Sequence, residues 1–213
     1  ITGGQVVRTG GAMRGWRTDE MVQRDNWSDM EYQIRRWLFW TWVSGDFIVE
    51  MHVHNIDIMN WIMGAHPESV MALGGRQVRT EPEFGNVYDH FTAEYVYPND
   101  VRVEYMGTQI EKFTYRNDQR VQGSKGSAYI DFGNCRIKGA NPWEFKGDYP
   151  SPAVLEYTEM IDSIRNGKAI NDGRQVAEST MTAIMGRMSA YTGRELQWKW
   201  AMNGSKLDLT PDN

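Results

Sequence analysis

The chain has 213 residues, of which 40% are hydrophobic, 24% charged and 12% aromatic. That is a globular composition with enough apolar content for a substantial core, and no window approaches the roughly 18 uncharged apolar residues of a membrane span. A formal net charge of −5, with no basic cluster larger than Arg35-Arg36, argues against nucleic acid as a partner, and the single Cys135 excludes an intrachain disulfide framework or a multi-cysteine zinc site.

The run Gln5-Val-Val-Arg-Thr9 lies between glycine pairs and reads as a strand, followed by a long surface loop to about residue 28 that carries Trp16 and Trp27. Helical spacing begins near Asp29, places Ile34, Trp37, Leu38 and Trp40 on neighbouring turns, and stops at Ser44-Gly45. Residues 46–63 are apolar nearly all round and end at Gly64, which predicts one buried helix with a glycine stop. The middle of the chain changes character. Segments 68–79, 87–97, 101–111, 113–123 and 127–132 are rich in β-branched and aromatic residues and are separated by Gly, Pro, Asn and Asp. Pro98-Asn99-Asp100 predicts an antiparallel hairpin between the strands it joins. Helical patterns return from Pro152 to about Gly167 and from about Gly173 to Thr192, and Ala183, Gly186 and Ala190 give the last helix a side open to close approach. With no repeat and no linker, the order of elements predicts a single α+β domain over 1–213, an open-faced, mostly antiparallel sheet packed on helices.

The densest chemistry is Glu50-Met-His-Val-His-Asn-Ile-Asp57. On a helix turning about 100° per residue, Glu50, His54 and Asp57 share one stripe while His52 points the other way. A carboxylate one turn from a histidine can orient the imidazole and tune it as a general base toward a hydroxyl. A structural Glu50–His54 pair is the plain alternative. As a strand, the same segment would put Glu50, His52 and His54 on one face as metal ligands, the site of a metal-dependent lyase or epimerase. Its length favours the helix, so no metal site is expected. Asp89 and His90 fall on opposite faces of segment 87–97, one of which can meet ligand. Arg36 beside Trp37 offers a guanidinium fork and an aromatic face suited to a sugar or an anion. Neither G-x-G-x-x-G nor G-x-x-x-x-G-K-[ST] occurs, so no cofactor-binding residues are expected on this chain.

Ser44-Gly-Asp-Phe-Ile-Val-Glu-Met-His-Val-His-Asn-Ile-Asp-Ile-Met-Asn-Trp61 resembles the substrate-side motif D-x-x-x-H-x-x-D of the glucose-fructose oxidoreductase / inositol dehydrogenase (Gfo/Idh/MocA) family. Gly74-Gly-Arg-Gln-Val-Arg79, Tyr88-Asp-His-Phe91, Gly123-Ser-Lys-Gly-Ser127 and Gly173-Arg-Gln-Val-Ala-Glu-Ser179 extend the resemblance over most of the chain, toward a bacterial branch. Members of that family join a Rossmann domain, which binds NAD or NADP, to a C-terminal α+β domain of the dihydrodipicolinate-reductase-like kind. The resemblance implies that this chain is the second domain alone. It further implies that His54 is the base toward the substrate hydroxyl, that Glu50 stands where the family commonly has Asp, and that Asp57 is the closing acid of the motif. The E-K-P lysine of the nucleotide domain has no match here, so hydride transfer is expected to need that domain. A carbohydrate or cyclitol is the implied ligand, together with a homo-oligomer formed through the open sheet face. A noncatalytic sugar-binding or assembly module is the alternative.

Overall fold

The computed structural model describes residues 1–9, 25–148 and 150–211, so most of the loop expected before residue 28 lies outside the described residues. Strands β1 (Gly3–Thr9), β2 (Ser69–Gly75), β3 (His90–Tyr97), β4 (Val101–Thr108), β5 (Arg116–Gly123), β6 (Gly126–Asp131), β7 (Cys135–Gly139), β8 (Trp143–Glu144) and β9 (Leu196–Gln197) form one sheet in the order β8-β7-β6-β5-β1-β4-β3-β2-β9. All pairings are antiparallel except one: the first strand of the chain inserts between β4 and β5 and runs parallel to β4. The architecture is the expected α+β, an open sheet with helices on one face. The turn Pro98–Asp100, with Asn99 at φ 66°, closes the β3–β4 hairpin as expected. β7, β8 and β9 were not anticipated, because two are only two residues long and β7 carries polar residues at alternate positions.

The helices depart from the sequence expectation by being broken. The segment starting at Asp29 forms α1 (Asp29–Arg35), a short 3-10 turn over Trp37–Phe39, and α2 (Thr41–Ser44). Residues 46–63 form two helices, α3 (Phe47–Glu50) and α4 (Val53–Met63). α5 (Pro152–Asn166), α6 (Gly173–Thr192) and α7 (Trp198–Asn203) complete the set. α4 lies across β1 and β5, while α6 covers β2 and packs on α3 and α4. Their shared core includes Ile48, Met59, Phe91, Tyr95, Tyr105 and Met185. A buried amide knits the layers. Asn60 on α4 donates to Ser179 and Thr182 on α6, and its Oδ1 accepts from Tyr97 on β3 at 2.6 Å.

The small-residue side of α6 works as its sequence implies. Gly186 faces β3, and a Cβ there would run into the buried Tyr95 hydroxyl and press on Ile48. Gly186→Ala is therefore expected to lower the unfolding free energy by about 1–3 kcal/mol through overpacking. Denaturant unfolding that showed the variant as stable as the parent, or more so on account of the better helix former, would contradict this close approach.

Candidate active site

The segment of interest begins at a strained corner. Asp46 has φ 73°, left-handed backbone that a non-glycine residue adopts only under constraint. Its buried carboxylate supplies the constraint by accepting from the Phe47 and Tyr88 amides at 2.6 and 2.9 Å and from the Tyr191 hydroxyl at 2.7 Å. Burial pushes this carboxyl up to about 6, against those hydrogen bonds and the nearby Arg187 charge. The expected single helix breaks five residues later. The amides of Met51 and His52 both donate to the Phe47 carbonyl, and the Asn55 amide restarts the ladder at the His52 carbonyl. Met51 is thereby left with a free carbonyl, which accepts from Arg8 Nη1 at 2.7 Å.

His52 explains the break. It is buried, its Nδ1 shares a 2.6 Å hydrogen bond with Tyr105 Oη on β4, and Phe47 meets its ring edge-on at 4.8 Å. Burial, with the Arg8 charge second, lowers its pKa well below the usual histidine value, so it stays neutral. The metal alternative fails here, because His52 is in the core while His54 is exposed. Among the described residues, no group of three or more His, Cys, Asp or Glu side chains could hold a metal ion.

His54, Asp57 and Trp61 lie at spacings of three and four on the outer face of α4. His54 is exposed, and Trp61 is 72% exposed. His54, Asn55, Asp57 and Ile58 form one wall of a cleft of about 430 Å³, whose other wall is Arg8 on β1, Asn117 and Gln119 on β5, and Ile130, Asp131 and Phe132 at the end of β6. Asp57 is tied to α6: it accepts from Ser179 Oγ at 2.6 Å and Gln175 Nε2 at 3.3 Å, which fixes the cleft wall to the helix layer. Glu50 is not hydrogen-bonded to His54. Its Oε2 is buried without a partner, burial raises its pKa, and Arg8 is the charge that opposes the shift. Arg8 also donates to Asn55 Oδ1 at 3.1 Å, and Asn55 in turn donates to Asn117 Oδ1 at 2.7 Å, so a guanidinium and two amides line the cleft in one connected row.

The remaining expected ligand contacts fall elsewhere. Asp89 is fully buried, and its Oδ2 accepts the amides of Gln77, Val78 and Arg79 while Oδ1 faces His90 Nδ1 at 2.7 Å. Burial pushes that carboxyl up, but these bonds outweigh it and hold the pKa below the ordinary value. Asp89 thus shapes the 76–79 loop, and only the His90 ring reaches the surface. Arg36 is also buried. It donates to the Glu83 carbonyl and lies over Phe39, within a second apolar cluster of Leu38, Phe39, Phe84 and Val87 against which Trp37 packs. Neither Arg36 nor Trp37 lines the cleft. Sequence reasoning missed Arg8, Asn117 and Gln119. The available signal was the polar run Asn117-Asp-Gln-Arg120 in a segment that otherwise reads as a strand, of which Asp118 and Gln119 are buried.

The sequence profile of the GFO/IDH/MocA C-terminal domain matches residues 4–129, more than half of the chain, and the protein belongs to that family. No curated protein sequence matches it. Among solved structures, an aldose-aldose oxidoreductase from Caulobacter crescentus complexed with glycerol superposes at TM-score 0.69 with 15% identity, covering 92% of this chain and 55% of that one. A UDP-N-acetylglucosamine 3-dehydrogenase from Acidithiobacillus ferrooxidans gives 0.64, 14%, 90% and 54%. An oxidoreductase from Agrobacterium radiobacter in complex with NAD+, L-tartaric acid and magnesium gives 0.64, 14%, 92% and 56%. Identities this low show a shared fold, and the chain spans about half the length of each of these proteins.

The Asp46 corner generates a pH-dependence. A carboxyl at about 6 when folded, against 3.8 in its ordinary state, takes up a proton on folding between those values. Its favourable contribution is therefore complete below about pH 4 and is lost as the pH rises through about 6. Measured by urea unfolding, the parent should lose about 3 kcal/mol relative to Asp46→Asn across that window. A pH-independent difference between the two proteins would show that Asp46 is not protonated on folding.

Proposed function

We propose that this chain is the substrate-side half of an NAD(P)-dependent oxidoreductase acting on a hydroxyl of a carbohydrate or cyclitol, completed by a nucleotide-binding domain. The observation that carries this reading is the presentation of His54. The histidine of the family motif stands exposed on the rim of a cleft whose floor holds a guanidinium and several amides. Such groups suit hydroxyls, and Phe132, 81% exposed on the cleft rim, suits the apolar face of a sugar ring.

The surroundings favour a second domain over this face. Trp61 and Phe132 flank His54, and Ile137 and Trp143 are exposed on the same side of the sheet beyond α4. On α5, Val154, Tyr157, Met160, Ile161 and Ile164 form an apolar stripe, none of it covered. Exposed apolar side chains in this number mark an interaction surface.

In this reading the His54 imidazole accepts the hydroxyl proton, and Arg8, Asn55 and Asn117 orient the substrate oxygens. Glu50, half-buried with its Oε2 buried and unpartnered, balances the Arg8 charge beneath the cleft. A nicotinamide held by the other domain would supply the hydride acceptor. The chain's own residues fit the substrate side rather than the dinucleotide, since no glycine-rich phosphate loop is present.

In the complete enzyme, His54→Ala is expected to lower kcat by about a hundred- to ten-thousand-fold while leaving the unfolding midpoint near the parent value, because the ring is exposed. His52→Ala should do the reverse in emphasis, destabilising the fold by removing a buried ring and its Tyr105 bond. Near-parental turnover in His54→Ala would end the reading. So would saturable micromolar heat on titrating this chain alone with NAD or NADP, which would place the dinucleotide site here.

A further inference from the structure

The unused donors of the cleft discriminate among hydroxyl compounds, given the oxidoreductase reading on which this rests. Arg8 uses Nη1 twice, on the Met51 carbonyl at 2.7 Å and on Asn55 Oδ1 at 3.1 Å. Its Nε and Nη2 have no partner among the described residues and are not sealed from solvent, so the side-on edge of the guanidinium is open where the residue lines the cleft. That edge presents two parallel N–H groups, the geometry that matches a carboxylate. Arg8 forms no ion pair among the described residues, and Glu50 acts on its charge without a hydrogen bond.

The row beyond Arg8 is polarised in the same sense. A guanidinium can only donate, so the atom that meets it is the Asn55 oxygen. The Asn55 amide then donates to Asn117 Oδ1 at 2.7 Å, and the Asn117 Nδ2 is left over. Two residues along β5, Gln119 is 2% exposed and lines the cleft, yet its side-chain amide has no hydrogen bond to any described residue. A buried amide without a partner is costly unless a ligand or water meets it. Acceptors are scarce by contrast. Asp57 is committed to Ser179 and Gln175, and Asp131 accepts from the Gly133 and Asn134 amides at 2.7 and 2.6 Å.

We propose that the substrate is a sugar acid, a polyhydroxy compound with one carboxylate, held through that carboxylate by the Nε–Nη2 edge of Arg8 together with Gln119 and Asn117 while a hydroxyl of the same molecule meets His54. An anion with several acceptor oxygens and no proton to donate satisfies this donor-rich floor, whereas a neutral polyol offers the guanidinium edge only uncharged acceptors. A phosphate dianion fits less well, because Asp57 and Asp131 add negative charge to the cleft walls.

The test is calorimetric titration of this chain with a panel of aldonates and hexuronates, each beside its matched alditol or hexose. At least one acid should bind roughly ten- to a hundredfold more tightly than its neutral partner, the worth of one or two charge-assisted hydrogen bonds. Arg8→Met and Gln119→Glu should each bring that ratio close to one. Arg8 also holds the Met51 carbonyl, so should Arg8→Met fail to fold, Gln119→Glu decides: it is nearly isosteric and sets a carboxylate against that of the substrate. Neutral partners bound as tightly as the acids, a panel that gives no saturable heat, or an acid preference that survives Gln119→Glu would overturn the proposal. Turnover in the complete enzyme separates it from the reading beneath. Oxidation of neutral polyols with no preference for acids would overturn the sugar acid and keep the oxidoreductase. An acid bound with the expected ratio but oxidised with neither NAD nor NADP would keep the carboxylate site and end the oxidoreductase reading.

Discussion

A buried imidazole sets the geometry of the cleft. His52 is committed to Tyr105 on β4 and to the edge of Phe47, and a residue that must reach the sheet cannot also keep the pitch of a helix already packed on it. The wide turn at Met51–His52 is the compromise. It costs one helical hydrogen bond and leaves the Met51 carbonyl unpaired inside the protein, a loss that would be worth about 1–3 kcal/mol if nothing answered it. Arg8 answers it at 2.7 Å, so the guanidinium is fixed at the cleft by a structural necessity before any ligand arrives. A group held in that way is preorganised, which is what a binding site requires of its polar residues.

Two other buried carboxylates do comparable work at the ends of elements. Asp46 and Asp89 are both fully buried, yet their behaviour differs. Asp89 accepts three backbone amides and a histidine and is held below the ordinary carboxylate range. Asp46 accepts two amides and a tyrosine hydroxyl, and burial wins. The difference follows from the heavier desolvation of Asp46 and the larger number of hydrogen bonds donated to Asp89, since desolvation penalises the charged form and every donated hydrogen bond restores it. Together they hold the Ser44–Phe47 corner and the 76–79 loop in place, and neither is available to a substrate.

Much of the architecture was legible because alternation and helical spacing are local signals. The alternation of segment 87–97 separated Asp89, Phe91, Tyr95 and Tyr97 from His90, Thr92 and Glu94, and the structure buries the first set. The motif around His54 was legible for the same reason, and His52 points away from the cleft as the helical spacing required. The break between them was not, because its cause is a hydrogen bond to a residue 53 positions away. Arg8, Asn117 and Gln119 escaped notice for a similar reason: they reach His54 only through the insertion of β1 between β4 and β5, a pairing of distant segments that no window of sequence contains. Arg36 and Asp89 misled in the opposite sense. Their chemistry suited a ligand, but backbone groups took it up first.

That inserted strand ties the two faces of the protein together. β1 alternates strictly: Gly4, Val6 and Arg8 face the helices while Gln5 and Val7 face away, so the cleft guanidinium and the Gln5 amide sit three residues apart on opposite sides. A slip of one residue would exchange them and empty both features at once. Gly4 guards against the slip. It lies beneath Met59 of α4 with its would-be Cβ only 3.1 Å from Cε, so the helix seats closely on β1 only where the strand presents no side chain. A side chain brought to that point would press on the end of Met59 and on the Arg120 carbonyl, at 3.1 and 3.3 Å. The register that positions the cleft is therefore the one that seats α4 on β1 and aims Arg8 at Asn55.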